Sequence, residues 1–242
     1  MVRSDNNLVT FGTVTPTDIG EKMTRQIDNT EPHYVYADIE ADGFKGNRIL
    51  QLSAITQDGF KFDIYVDPEG PIPLSITNLL GLYYYNKHLY RNGRFLFTYK
   101  IKVALHYFAD WITQIRKPVT LVFHNGFSFD CDVLIKHLLE FDIKIPDNLV
   151  SFADTLPFFR RTLKAPDITS HTLSSLAKFY KLPKPSHNAL TDSIALKNIC
   201  ERFASSTDQN IDVIFKNCTR NITDYTNKHI NQTPIPKLKK VK

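Results

Sequence analysis

Two acidic side chains end an otherwise apolar segment near residue 40. Asp38 and Glu40 flank Ile39 in the segment HYVYADIE. If this segment is a β-strand, the two carboxylates project from the same side of it. Like charges at this spacing repel each other unless a cation neutralises them, and Mg²⁺ prefers oxygen ligands. The pair therefore indicates a divalent-metal site, although an isolated D-x-E is more often a solvated strand end.

A second acid follows the apolar segment VTLVFHN. Asp130 ends the motif HNGFSFD, where a strand gives way to a helix that we expect Ser128 to cap. Ligands of α/β proteins gather at such strand-to-helix junctions. An acid in the first turn of a helix also interacts favourably with the helix dipole, so Asp130 by itself fits a structural role equally well.

The third motif, HNALTD, precedes the last long amphipathic segment. It places His187 just before a predicted helix and Asp192 inside its first turns. An imidazole can exchange a proton near neutral pH, as a general base must, although a histidine at this position more often caps or packs. Because three such motifs occur in order, each at the end of a strand or helix, we expect their polar side chains to share one site.

The elements that must position these residues follow from hydrophobic periodicity. Alternating, β-branched and aromatic segments predict strands in HYVYADIE, RILQLSAIT and FKFDIYVD, with a hairpin turn at Asp58-Gly59, and later in VTLVFHN and LVSFADT. Helical spacing predicts helices in KIKVALHYFADWITQIRK, FDCDVLIKHLLEF, TLSSLAKFYKL and ALTDSIALKNICERFA. The order βββαβαβαα predicts an α/β domain with a mixed sheet and helices on both faces.

Composition divides the chain into three parts: a polar N-terminal arm over 1–30, one domain over 31–206, and a polar extension over 207–242 that ends in a lysine-rich tail. The tail carries four lysines, so the remaining chain has a formal charge of 5 − 4 = +1. We expect weak global attraction to phosphate. No apolar run predicts a signal peptide or membrane helix, which favours an intracellular protein, cytoplasmic or nuclear, without a membrane partner.

Three segments resemble the DEDDh 3′→5′ exonucleases, most closely the three-prime repair exonucleases and the proofreading subunit of bacterial replicative polymerase. They are DIEADG (38–43), HNGFSFDCDVL (124–134) and HNALTDSIAL (187–196). The resemblance spans roughly Tyr34 to Ala204. Position 188 is asparagine, which separates the chain from relatives with a tyrosine at this place. The resemblance implies an RNase H-like fold with a mixed five-stranded sheet.

The resemblance also implies a reaction, namely hydrolysis of the terminal phosphodiester bond of single-stranded or 3′-frayed nucleic acid, DNA favoured, with release of nucleoside 5′-monophosphates. Two Mg²⁺ ions, for which Mn²⁺ would substitute, would be held by four carboxylates, and a histidine would take the proton from water. These catalytic residues are Asp38, Glu40, Asp130, Asp192 and His187. The implied substrate-binding residues are Ile39, Ala41, Phe44, Ile76, Thr77, Leu79, Asn125 and Phe129.

Two segments depart from the family pattern. In SITNL, Asn78 replaces a glycine of the family. The segment YYYNKHLYRNGRF (83–95) matches no family pattern and fits either a packed aromatic loop or a surface that contacts single strands.

Two other functions stay open at this point. One is an RNA 3′-end trimming exoribonuclease, because discrimination depends on how the pocket treats the 2′-hydroxyl. The other is an inactive protein of the same fold that binds nucleic acid, against which the five intact catalytic positions argue. A homodimer is compatible with the sequence, but no sheet edge is marked for it.

Overall fold

The computed structural model of the protein describes residues 32–43 and 47–230. The predicted N-terminal arm, Phe44 and the lysine-rich tail therefore lie outside the described residues. The central sheet contains seven strands, β1 His33–Ala41, β2 Ile49–Thr56, β3 Lys61–Val66, β7 Thr98–Tyr99, β8 Val119–Phe123, β9 Leu149–Asp154 and β10 Thr219–Asn221. The helices are α1 Leu74–Leu80, α2 Ile101–Gln114, α3 Asp130–Glu140, α4 Thr155–Thr162, α5 Leu173–Phe179, α6 Ala189–Thr207, α7 Asp212–Phe215 and α8 Ile222–Ile230.

The strand order is β10-β9-β8-β1-β2-β3-β7. Strands β1, β2 and β3 form an antiparallel meander, and β1 continues in parallel with β8 and then β9. The predicted mixed sheet is confirmed, but the strand number of five is wrong. The two additional strands, β7 and β10, lie at the edges and are two and three residues long, too short to show an alternating pattern in the sequence.

Both faces of the central sheet are covered, as the sequence predicts. Val35 and Ala37 belong to one hydrophobic core together with residues of α2 and α3, whereas Tyr34 and Tyr36 belong to a second core with residues of α4, α5 and α6. Adjacent residues of β1 therefore point into different cores, as strand geometry requires. This makes β1 a central strand with two buried faces, and its C-terminal end is fixed on both sides.

The folded unit continues past the predicted domain boundary at residue 206. Strand β10 pairs with β9, and the side chains of Ile214, Phe215 and Tyr225 are buried against the sheet. The polar extension predicted from 207 is therefore corrected for residues 212–230, which belong to the domain. The sequence hides this because a few apolar residues anchor short elements whose other residues are polar.

Residues 82–96 form a separate three-stranded sheet instead of a packed aromatic loop. Its strands are β4 Leu82–Tyr85, β5 His88–Arg91 and β6 Arg94–Leu96, in that order. The turns Asn86-Lys87 and Asn92-Gly93 have positive φ at both residues, as two-residue hairpins with the right twist need. Leu82 and Leu89 bury this sheet against Leu50 and Leu80.

Within the two described stretches, no helix combines the length and apolar character that crossing a lipid bilayer requires. The three cysteines, Cys131, Cys200 and Cys218, are buried and free.

A pair of truncations tests the corrected boundary. Ending the chain after Thr207 removes the buried side chains of Phe215 and Tyr225, and we expect it to cost more than about 5 kcal/mol, enough to unfold a typical domain. Ending it after Ile230 keeps every contact of the described residues, so this truncation should melt well above the first. Thermal unfolding followed by circular dichroism measures both, and equal stability of the two truncations would contradict the assignment of residues 212–230 to the domain.

Candidate active site

Asp38 and Glu40 lie at the C-terminal end of β1, on the side opposite to Ile39. Ile39 is buried in the core, while both carboxylates are partly buried. In the antiparallel pairing of β1 with β2, Asp38 lies opposite Ser53 and Glu40 lies opposite Gln51. The register of this pairing shifts between Glu40 and Ala41. The irregularity ends the regular ladder directly after the two acids. The local geometry predicted for the D-x-E motif is therefore present.

The loop after this bulge is closed by an ion pair. Asp42 is fully buried and pairs with the guanidinium of Arg48, whose two other nitrogens donate to the carbonyls of Pro68 (2.6 Å) and Pro71 (2.7 Å). Phe44 belongs to this loop but lies outside the described residues. The ion pair between Asp42 and Arg48 therefore holds together the two ends of the loop that follows the acids.

Asp130 is brought to the acids of β1 by a backbone hydrogen bond. Its Oδ1 accepts from the N–H of Ile39 at 3.2 Å, although 91 residues separate the two in the chain. The carboxylate thus lies between α3 and the end of β1. The N-cap of α3 is Phe129, without a side-chain cap hydrogen bond, so the prediction that Ser128 caps this helix is wrong. Ser128 instead ends a short 3₁₀ turn.

The turn before Asp130 is shaped by a residue that the sequence did not single out. The Asp154 carboxylate accepts hydrogen bonds from the backbone N–H groups of Asn125 (2.8 Å), Phe127 (3.1 Å) and Leu156 (2.9 Å). Asn125 is left-handed with φ 69°, and a Cβ at Gly126 would lie 2.3 Å from that of Phe123. Asp154 therefore holds the turn that aims Asp130, and the close approach of Phe123 leaves no space for a side chain at position 126.

His124 also has a structural role in this turn. Its Nδ1 lies 2.8 Å from the Thr155 hydroxyl and its Nε2 lies 2.7 Å from the carbonyl oxygen of His171. Burial lowers the pKa of this imidazole, with the hydrogen bond to His171 opposing the shift. With both ring nitrogens engaged, His124 holds loops together and is not a candidate base.

The third motif forms the start of α6. Asn188 caps the helix by accepting from the N–H of Thr191 at 3.1 Å, and its amide donates to Gln51 (3.1 Å) and Tyr65 (2.9 Å) on the neighbouring strands. Asp192 accepts from the Ser186 N–H at 2.9 Å. These contacts dock the helix start onto β2 and β3, beside the acids of β1. Asn188, which stands where some relatives have a tyrosine, thus attaches the HNALTD motif to strands β2 and β3 of the central sheet.

The structure brings Glu40, His187 and Asp192 together. One ligand atom from each lies within 4.8 Å of the others, a spacing compatible with a shared metal ion. The group combines residues 40 and 187–192 from opposite ends of the domain. Carboxylate oxygens with one imidazole form a hard donor set that suits Mg²⁺ or Mn²⁺ better than a thiol-rich site would.

Asp38 and Asp130 join this group electrostatically. Burial, followed by the nearby carboxylates of Asp130, Glu40 and Asp192, raises the pKa of Asp38 well above its usual range. Burial also raises the pKa of Asp130 to about 7, against the opposing effect of its backbone hydrogen bonds. Burial and Asp192 raise the pKa of Glu40 to about 7, while Arg91 opposes that shift. Arg91 supplies too little positive charge to neutralise these carboxylates. A group of acids with excess negative charge favours the binding of divalent cations.

Arg91 is a site residue that the motifs did not reveal. It extends from β5 of the small sheet and donates from Nη2 to the backbone carbonyl of His187 at 2.9 Å. His187 has φ 53°, a left-handed conformation that is uncommon for a non-glycine residue. The guanidinium therefore holds the unusual backbone turn that directs the imidazole. Only the Asn-Gly turn signal of residues 92–93 could have indicated the sheet that carries Arg91.

The proposed substrate-binding residues are placed less uniformly. Ile76 of α1 comes within 3.7 Å of the position of a Cβ at Gly43, directly after the acids. Thr77 is partly buried and Leu79 is 53% exposed on the same helix. Asn78 lies within α1 and therefore needs no left-handed turn in place of the family's glycine. Ala41 and Phe129 are partly buried at the two motif ends, and Asn125 is exposed with its backbone held by Asp154.

Comparison with known proteins gives a consistent result. No protein-family model matches the chain. Over 181 residues the chain is 28% identical to "Exonuclease DPD1, chloroplastic/mitochondrial" of Arabidopsis thaliana, covering 69% of this chain and 55% of that protein. The chain thus spans about half the length of this curated relative. The named relative is an exonuclease, in agreement with the resemblance seen in the sequence.

Solved structures show the same fold. Exonuclease I of E. coli in complex with a dA16 oligonucleotide superimposes with a TM-score of 0.57 and 16% identity, over 72% of this chain and 41% of that chain. Exonuclease I from Methylocaldum szegediense gives 0.60 and 15%, over 77% and 43% of the two chains. The predicted RNase H-like α/β fold is therefore confirmed, with seven strands in the central sheet in place of five.

Charge crowding at Glu40 leads to a testable pH dependence. Because the folded-state pKa of Glu40 is raised to about 7, the folded protein keeps this proton over a pH range in which the unfolded chain loses it. Without metal, the free energy of unfolding of the wild type should fall relative to Glu40→Gln as the pH rises to about 7 and then level off. We expect a final difference of about 1 to 2 kcal/mol after allowing for partial exposure.

Urea unfolding of both proteins in EDTA, over a pH range from about 5 to about 8 that spans the Glu40 titration, measures this difference. Addition of Mg²⁺ or Mn²⁺ should then stabilise the wild type more than the variant, since the variant has lost a carboxylate ligand. A stability difference that does not change with pH, and equal stabilisation of both proteins by metal, would contradict the crowded-carboxylate account.

Proposed function

We propose that this chain is a metal-dependent 3′→5′ exonuclease that hydrolyses the terminal phosphodiester bond of single-stranded nucleic acid and releases nucleoside 5′-monophosphates. The observation that carries the proposal is the convergence of Glu40, His187 and Asp192 within 4.8 Å, beside the crowded carboxyls of Asp38 and Asp130. A fold shared with exonuclease I and an exonuclease among the curated relatives support it. All five of these residues lie within the part of the chain that the structure describes.

The donor set supports a pair of divalent cations as cofactors. Asp38, Glu40, Asp130 and Asp192 would hold them, with Mg²⁺ as the expected ion and Mn²⁺ as its substitute. Bound ions would supply the positive charge that phosphodiester hydrolysis needs at the attacking and leaving oxygens. The raised pKa values of Glu40 and Asp130 support this assignment, because carboxyls in such surroundings gain most from a cation. One structural neighbour, a complex of E. coli exonuclease I with single-stranded DNA, is a zinc-bound form.

His187 is our candidate for the general base that accepts the proton of the attacking water. Its side chain is exposed, so water reaches it, and its ring lies near the carboxylates of Glu40 and Asp192. Arg91 and Asn188 act as positioning residues: the first holds the carbonyl of His187, and the second docks the following helix on β2 and β3. A base held by its own backbone in this way loses little freedom when substrate arrives.

The substrate end would lie between β1 and α1. Ile76 approaches Gly43 beside the acids, which supports the proposal that α1 packs against the terminal nucleotide. We propose that the substrate is a single strand, because the terminal nucleotide must be free of a complementary strand to reach carboxylates that are partly buried. DNA is the favoured substrate: structural neighbours are complexes of exonuclease I with single-stranded DNA, such as dA16.

Two substitutions test the catalytic assignments. Asp38→Ala should abolish release of nucleoside 5′-monophosphates from a 5′-labelled DNA strand, since it removes one of the four carboxylates that we propose to hold the cations. His187→Ala should lower kcat by roughly 10² to 10⁴, the usual contribution of a general base. Asp110→Ala and His106→Ala, at exposed positions of α2, are matched controls and should keep wild-type rates. Product lengths on sequencing gels over time provide the readout.

The same assay on a matched RNA strand distinguishes the substrates. Faster trimming of RNA than of DNA would replace our substrate assignment by RNA 3′-end trimming. Binding of oligonucleotides without any release of mononucleotide in Mg²⁺ or Mn²⁺ would show a binding protein and would overturn the proposed function.

A further inference from the structure

The small sheet β4-β5-β6 has one apolar face and one aromatic face. Pairing in register places Leu82, Tyr84, Leu89 and Leu96 on one face, together with Arg91 and Arg94 at its end. Leu82 and Leu89 are buried against Leu50 and Leu80, so this face is directed inward. The opposite face carries a set that we name the aromatic platform: Tyr83, Tyr85, His88, Tyr90 and Phe95.

Four rings of the aromatic platform form a chain of contacts, and Tyr85, His88 and Phe95 are exposed to solvent. Tyr83 and Tyr90 stack with centroids 5.2 Å apart and planes at 9°, and Phe95 contacts both Tyr90 (6.1 Å) and His88 (5.4 Å). Tyr85 is 61% and Phe95 is 56% exposed. Phe97, two residues further along the chain, is 67% exposed. Exposed aromatic rings that lie together in this way, unlike single exposed residues such as Phe60, mark a binding site.

The basic residues near the aromatic platform favour a polyanion as its ligand. Between Glu69 and Asp110 the sequence contains no acidic residue, while its basic residues are Lys87, Arg91, Arg94, Lys100 and Lys102. Lys100 pairs with Asp67 and Glu69. Lys87, Arg94 and Lys102 form no ion pair with any residue that the structure describes. Lys87 lies in the turn between Tyr85 and His88 of the platform, and Arg94 begins β6 directly before Phe95, with its side chain on the opposite face. Aromatic rings with flanking cations are the combination that binds single strands, because bases stack and phosphates are neutralised.

The small sheet is also attached to the candidate active site. Arg91 follows Tyr90 in β5 and lies on the opposite face of the strand, where it reaches the backbone of His187 and approaches the Tyr65 hydroxyl at 3.3 Å. We propose that the aromatic platform binds bases of the single strand on the 5′ side of the terminal phosphodiester while the 3′ end occupies the carboxylate group. This inference rests on the proposed function and adds a substrate-binding surface to the same site. Phenol and imidazole rings fit such a surface because they stack and still tolerate water.

The test uses a double variant with matched controls. Tyr85→Ala with Phe95→Ala should weaken binding of a single strand of about 15 nucleotides by roughly 10- to 100-fold, as expected for the loss of two stacking contacts. Phe95→Trp alone should keep the affinity, since it preserves a ring, whereas Phe95→Leu should lose about as much as Phe95→Ala. Phe60→Ala, also a highly exposed aromatic residue but in the β2–β3 turn, should bind as the wild type does. Fluorescence anisotropy with labelled DNA in EDTA measures binding without hydrolysis.

A kinetic readout separates this inference from the proposed function. The preference in kcat/KM for the long strand over a dinucleotide should fall in the double variant by the factor seen in binding. Unchanged affinity for the long strand in the double variant would overturn the aromatic platform as a substrate surface. The inference would also be overturned if the wild type were a dimer and the double variant a monomer with the same DNA affinity. The rings would then form a contact between two copies of the chain. Failure of the proposed function would give a different result: the wild type would not hydrolyse the dinucleotide.

Discussion

Repulsion between closely spaced carboxylates is the constraint on which the site depends. Asp38, Glu40, Asp130 and Asp192 come from β1, α3 and α6. Burial raises the pKa values of the first three, and the neighbouring acids of the group add to the shifts of Asp38 and Glu40. Such a group costs free energy in the folded protein unless cations occupy it. The surrounding structure must therefore hold the acids in place against their own charge, and the hydrogen bond from the Ile39 N–H to Asp130 is one direct means of doing so.

The elements around the site are held by polar residues that have no catalytic role in our account. Asp154 organises the turn before Asp130, and Asn188 docks the start of α6 on β2 and β3. Arg91 fixes the carbonyl of His187 from the small sheet. A site built from distant segments needs such contacts because a displacement of about 1 Å can cost a factor of about 10² in rate. The contact of Arg91 also connects the small sheet, which carries the aromatic platform, to the residue that we assign as the base.

The sequence was most informative where residues repeat with a regular period or occur as a motif. The five central strands and the long helices could be predicted, because alternation is visible in a segment such as HYVYADIE. The three motifs also pointed to one shared site, and the structure brings Glu40, His187 and Asp192 together. Strands β7 and β10 could not, since two or three residues show no period. Arg91 and Asp154 were missed because their importance depends on contacts with backbone groups far away in the chain. The Asn92-Gly93 turn was visible in the sequence and should have indicated a hairpin in the segment 83–95.

The most direct test of the account is to locate the cations. Crystals of the wild-type protein grown with Mn²⁺ and a nucleoside 5′-monophosphate would be measured at a wavelength at which manganese scatters anomalously. We expect two anomalous peaks about 4 Å apart among Asp38, Glu40, Asp130 and Asp192, with the nucleotide phosphate in contact with both. A bound nucleotide with no manganese at these carboxylates, or manganese bound only elsewhere on the protein, would contradict the claim that the acids form a metal-binding catalytic centre.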